Sequence, residues 1–166
     1  MRTFFFLSLI FTQAILCGCV SQRTLKSGLV YTYYRVSGVV SEDTILMDSV
    51  GRVKYIGVSV PRESLTGKRD RTFRQECKKE NERLLLGKWC RFELDNEQEE
   101  PDKTMLAYVF VRLDGEEVFV NAYLIEQGLA RFSPSTVNTK YNERLLTAEA
   151  IAKSKNRGIW SAPPPQ

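Results

Sequence analysis

Apolar and polar side chains alternate along the first half of this chain, and the period lengthens further on. From Tyr31 to Val40 β-branched and aromatic residues alternate with polar ones, which predicts a strand. Ser41-Glu42-Asp43 predicts a turn, Thr44–Met47 a second strand, and Asp48-Ser49-Val50-Gly51 a hairpin turn. Val53–Val60 predicts a third strand ending at Pro61, followed by a charged loop over Arg62–Arg71. Phe73, Cys77, Asn81 and Leu84 then fall on one face of a helix, with Gly87 at its C-terminal cap. Trp89–Leu94 and Met105–Leu113 predict two more strands, separated by an acidic loop over Asp95–Lys103. After a turn at Asp114-Gly115, Val118–Val120 leads into a short helix, Asn121–Gln127, closed by Gly128. Tyr141, Leu145, Ala148 and Ala152 mark a last amphipathic helix. Five strands with a helix between the third and fourth give the order of an OB-fold, a five-stranded barrel, here with three helices.

The amino terminus follows a different pattern. Arg2 precedes an apolar run from Phe4 to Leu16, which is too short for a membrane span and fits a secretory signal. Leu16-Cys17-Gly18-Cys19 resembles the bacterial lipobox, which implies cleavage before Cys19 and acylation of its thiol. A plain cleaved signal with two incidental cysteines is the alternative. The expected organisation is a lipoprotein signal over 1–18, a short tether over 19–29, one domain over 30–160 and a Pro-rich tail over 161–166. The expected location is the bacterial cell envelope, with the membrane as partner through the lipid.

Composition narrows the chemistry. The 166 residues carry 24 Lys+Arg against 20 Asp+Glu, and loss of Arg2 with the signal would leave a net charge of +3, too mild to announce nucleic-acid binding. There is no His, which excludes Ser-His-Asp and Cys-His catalysis and any His-ligated metal. Beyond the lipobox only Cys77 and Cys90 remain, too few for a four-thiolate zinc site. A disulfide between them and two free buried thiols both stay open.

Several blocks, taken in order, resemble the thermonuclease (staphylococcal nuclease-like) family. They are EDTI at 42–45, VP at 60–61, LLLGKWC at 84–90, LAYV at 106–109, VNAYLIEQGLAR at 120–131, AEAIAK at 148–153 and GIW at 158–160. The resemblance implies an OB-fold and a site with a Ca²⁺ held by carboxylates, two arginines on a phosphate and a glutamate activating water. At the implied metal positions stand Asp43 and Ser59, at the arginine positions Lys54 and Thr104, and at the general-base position Arg62. The family's five groups sum to −1, whereas these five sum to +1 and keep only Asp43. Glu63, one residue late, is the one rescue for the base.

Each residue also has a plainer role. Asp43 suits a tight turn, Lys54 can reach from its strand to water, and Arg62, Lys68, Arg69 and Arg71 suit a solvated loop. Together Lys54, Arg62, Lys68, Arg69 and Arg71 could bind an anion, nucleic acid included. The expectation is a lipid-anchored thermonuclease-like domain without hydrolytic activity and without a cofactor, acting as a binding or structural module. The alternative is a weak Ca²⁺-dependent phosphodiesterase using Asp43 and Glu63. A third reading, an oligosaccharide or peptide binder, rests on fold analogy alone.

Overall fold

The computed structural model describes residues 20–24, 30–60 and 68–161, with side chains from 31–60 and 73–161. Among the described residues, nine strands and three helices follow one another in the order β1 (Val20–Thr24), β2 (Val30–Val39), β3 (Thr44–Met47), β4 (Gly51–Tyr55), β5 (Val58–Ser59), α1 (Lys68–Leu85), β6 (Trp89–Glu93), β7 (Met105–Leu113), β8 (Glu116–Phe119), α2 (Val120–Glu126), β9 (Arg131–Phe132) and α3 (Asn142–Ser154). A single 3-10 turn, Gly158–Trp160, follows. β2, β3, β4, β7 and β6 pair in that order, and β6 pairs back onto β2, so five strands form a closed ring. This is the predicted OB-fold barrel. β1 and β8 flank the ring on β2 and β7, and β5 with β9 forms a separate two-stranded ribbon.

The ring contains one parallel pair, β4 with β7, with Val53 opposite Met105 and Tyr55 opposite Ala107. The other ring contacts are antiparallel. β7 is buried without interruption from Ala107 to Val111, because both its faces are covered. On one face Tyr108 and Phe110 meet Phe119 and Tyr141 in an aromatic cluster, with ring centroids 4.8–6.1 Å apart. On the other, Val111 stands opposite Cys90, fully buried with Val36, Ile45 and Val53. Such burial of apolar side chains supplies most of the drive to fold.

The structure corrects three sequence expectations. The segment 19–29 is not only a tether, since Val20–Thr24 pairs with β2. The single strand expected over Val53–Val60 is broken at Ile56-Gly57 into β4 and β5. Gly57 has φ +74°, and a Cβ there would stand 2.5 Å from Leu145 Cδ1 of α3, so the chain turns where the last helix crosses it. The charged loop expected up to Arg71 is already helix from Lys68. Of the two states left open for Cys77 and Cys90, the structure has free, buried thiols, and Cys77 Sγ donates to the Glu42 carbonyl at 3.4 Å. Burial pushes both thiols up to about 12.

Candidate functional site

The turn joining β2 to β3 is built by its own backbone and by α1. Val40 and Ser41 N–H groups both reach the Thr44 carbonyl, at 2.9 and 3.0 Å. From α1, Asn81 Nδ2 donates to the Glu42 carbonyl at 2.6 Å, while Tyr55 OH donates to Asn81 Oδ1 at 3.1 Å. Asn81, Cys77 and Tyr55 thus form a buried post under the turn that carries Asp43. The Asp43 carboxylate accepts from Ser41 Oγ at 2.8 Å and Thr44 Oγ1 at 3.0 Å. That is the turn-closing role Asp favours.

Lys54 sits on β4 opposite Thr44, which brings its ammonium to the same end of the barrel. Its Nζ meets Glu100 Oε1 at 2.5 Å, from the acidic loop between β6 and β7. That loop is fastened at several points. Asn138 Oδ1 accepts the Glu97 N–H and its Nδ2 returns to the Glu97 carbonyl. Glu100 N–H donates to the Thr104 carbonyl and Lys103 N–H to that of Glu100. Thr104 is buried, and its N–H donates to Asp102 Oδ1 at 3.0 Å. Backbone and side-chain hydrogen bonds from Thr104, with Arg52 nearby, hold the Asp102 carboxyl below its ordinary range.

Two recesses of about 200 Å³ each share Asp43 and Lys54 on their common edge. One continues over Glu42 and Ser59, the other over Arg52, Glu100, Asp102 and Thr104. Ser59 is exposed on β5, opposite Arg131 of β9. The structure thus brings together Asp43, Lys54, Ser59 and Thr104. Arg62 and Glu63 lie outside the described residues, as do the side chains of Lys68, Arg69 and Arg71 and all of Cys19. Arg52, Glu100 and Asp102 escaped the sequence reading. Arg52 was within reach of it, since i and i+2 on a strand share a face with Lys54. Glu100 was not, because its pairing with Lys54 spans 46 residues.

A divalent cation does not fit the described part of this site. Calcium seeks six to eight oxygens, several of them charged. Among the described residues no group of three or more Asp, Glu, His or Cys is placed to hold a metal. Asp43 Oδ1 is engaged by two hydroxyls, Glu100 is held by an ammonium, and Ser59 brings no charge. An anion reaching Lys54 must first displace the Glu100 carboxylate, leaving Arg52 as the more open cation of the pair.

Comparison with known proteins agrees with the fold. A family model described as staphylococcal nuclease homologue matches residues 52–162. A thermonuclease of Staphylococcus hyicus is 31% identical over 131 residues, covering 77% of this chain and 75% of that protein. A thermonuclease of Staphylococcus intermedius is 31% identical over 130 residues, covering 76% and 75%.

Proposed function

The chain belongs to the staphylococcal nuclease homologue family, and from that membership we propose that it is an exported, lipid-anchored member without hydrolytic activity, serving as a binding or structural module at the cell envelope. One observation carries the proposal: the described charged groups on the family's site positions are each engaged by a neighbour outside those positions. Lys54 is tied to Glu100 and Asp43 to its own turn, while Ser59 and buried Thr104 bring no charge. Removing a general base alone costs about 10² to 10⁴ in rate, and this site has Arg62 in its place. The Leu16-Cys17-Gly18-Cys19 motif supports the anchor at Cys19.

The test is a nuclease assay on DNA and RNA with and without Ca²⁺, using the purified chain. Cleavage no faster than buffer background is expected. Ser59→Asp with Arg62→Glu should strengthen Ca²⁺ binding without restoring cleavage, because Thr104 still cannot grip a phosphate. The relatives' name, thermonuclease, favours a second reading: a weak Ca²⁺-dependent phosphodiesterase using Asp43 and Glu63. Robust Ca²⁺-dependent cleavage that disappears in Asp43→Ala would establish that reading and remove ours. For the anchor, Cys19→Ala should abolish the acyl mass and either release the chain from membranes or stop its maturation. Unchanged mass and sedimentation would refute it.

A further inference from the structure

β1 begins at Val20, which stands opposite Tyr34; on its other edge Tyr34 stands opposite Cys90, and the next residue, Arg35, stands opposite Trp89. Cys19 lies outside the described residues, and Val20, bonded to it, is the first described residue of the strand edge next to the Arg35–Trp89 pair. A lipid on Cys19 would therefore be tethered to that edge.

That spot carries an unusual surface. Leu86 is 51% exposed and Trp89 38% exposed, two of the few large apolar side chains left open among the described residues. Between them lie Gly87 and exposed Lys88, and the Arg35 guanidinium comes within 4.0 Å of where a Gly87 Cβ would stand. The backbone is rigid here, with Gly87 N–H on the Val36 carbonyl and Val36 N–H on that of Lys88, each 2.9 Å. Two carboxylates stand nearby: exposed Glu82 lies a turn before Leu86, and the Asp48 N–H donates to the Arg35 carbonyl at 2.9 Å, while Arg83 is paired with Glu80. Trp and Leu beside Arg and Lys is the composition of a membrane-interface contact, with rings at headgroup depth and cations on lipid phosphates.

We infer that Arg35, Leu86, Lys88 and Trp89 form the face by which the domain lies against a bilayer of anionic phospholipid. The inference rests on the proposed anchor for its biological setting, but the patch has its own readout. The far end of the β3–β4 hairpin, where Thr44 faces Lys54, is about 13 Å away along the strands. Asp43, Lys54 and Glu100 consequently stand clear of the proposed face.

The chain has two tryptophans, Trp89 and Trp160, so each can be read alone. The full chain, expressed with its own leader, is reconstituted in phosphatidylglycerol vesicles with brominated acyl chains, as Trp160→Phe and separately as Trp89→Phe. Trp89 emission should be blue-shifted and quenched, while Trp160 emission is left unquenched. Arg35→Glu with Lys88→Glu should relieve the quenching, as should replacing phosphatidylglycerol with phosphatidylcholine, since each cation contributes roughly fivefold near an anionic surface. Circular dichroism of each variant checks that it is folded. If Trp89 is quenched no more than Trp160 in chains that sediment with the vesicles and carry the acyl mass, the inference fails and the anchor stands. If Trp89 is quenched in chains that lack the acyl mass, the anchor fails and the patch stands.

Discussion

Asn121 shows how much one buried side chain can hold. Its Nδ2 donates to the Ile56 carbonyl at 2.9 Å and to that of Ala107 at 3.3 Å, and its Oδ1 accepts the Val109 N–H at 2.9 Å. The Ala107 carbonyl also accepts the Ile56 N–H at 3.0 Å, so the Ile56 carbonyl and the Val109 N–H are the groups that depend on Asn121. Asn121→Ala strands these two groups in a dry site and should cost about 3 kcal/mol, read as a lower denaturant midpoint at unchanged slope. A loss below about 1 kcal/mol would mean that the bonds are dispensable. Glu93 contributes to the acid limit. Burial works against its charge, but hydrogen bonds from Lys140, Arg91 and Tyr141 outweigh it and bring its pKa down to about 2. A carboxyl depressed in the folded state lends stability that is full above its unfolded value and drains away as pH falls through the folded one. Stability should therefore decline from about pH 4.5 towards pH 2, and Glu93→Gln should flatten that limb. A titration whose acid limb is the same in Glu93→Gln would assign the loss elsewhere. At Cys77 and Cys90 the raised pKa values predict no reaction with a thiol reagent at pH 8 in the folded domain. Both should react once it is unfolded without reductant; a protected pair in unfolded, unreduced chains would show a disulfide.

Between elements, two glycines make a contact that no other residue permits. Gly128 ends α2 with φ +70°, Gly158 opens the final turn with φ +51°, and Ile159 N–H donates to the Gly128 carbonyl at 2.9 Å. A Cβ on Gly128 would stand 2.2 Å from the Arg157 carbonyl oxygen, and one on Gly158 2.2 Å from that of Gly128. Gly128→Ala should cost about 3 kcal/mol or more in thermal or chemical melts, since it adds backbone strain to a clash that no rotamer relieves. A melt within about 0.5 kcal/mol of the parent would mean that the segment after α3 can detach without penalty. The glycines themselves were legible as helix stops, because Gly after a periodic run is a local signal. The strands of the ring were legible for the same reason: alternation is written in neighbours. The break in Val53–Val60 was not, because VKYIGVSV reads as one apolar run and only the crossing of α3 decides where it turns. The start of α1 was hidden by Lys68-Arg69-Asp70-Arg71, a charged first turn indistinguishable from loop. β9 has two residues and exists only because β5 lies beside it. At the site, the positions of Asp43, Lys54, Ser59 and Thr104 followed from the family resemblance, whereas the Lys54–Glu100 pair depends on a loop folded back from far along the chain.

For the whole molecule, the Lys54–Glu100 pair adds little stability, since each partner is 34% exposed and such pairs contribute about 0–1 kcal/mol. Its effect is on what the face can bind. Glu100→Gln should leave the melt within about 0.5 kcal/mol and raise affinity for a polyanion such as heparin or single-stranded DNA, with steeper salt dependence. Unchanged retention on a heparin column would show that Lys54 is not the limiting cation. The closed ring has a separate consequence, in time rather than space. A chain made from its amino terminus has β2, β3 and β4 complete long before their outer partners exist. β2 waits for Cys90 of β6 and β4 waits for Met105 of β7, so both edges stay unpaired until β6 is made, and the β4 edge until β7 follows. During that interval the half-built sheet offers two open edges, the state most prone to pairing with the wrong chain. Chains arrested near residue 100 should be digested readily by protease, and chains arrested beyond residue 160 should resist. The barrel is thus acquired late and all at once, and the segment between β4 and β6 sets how long the growing chain needs a guardian.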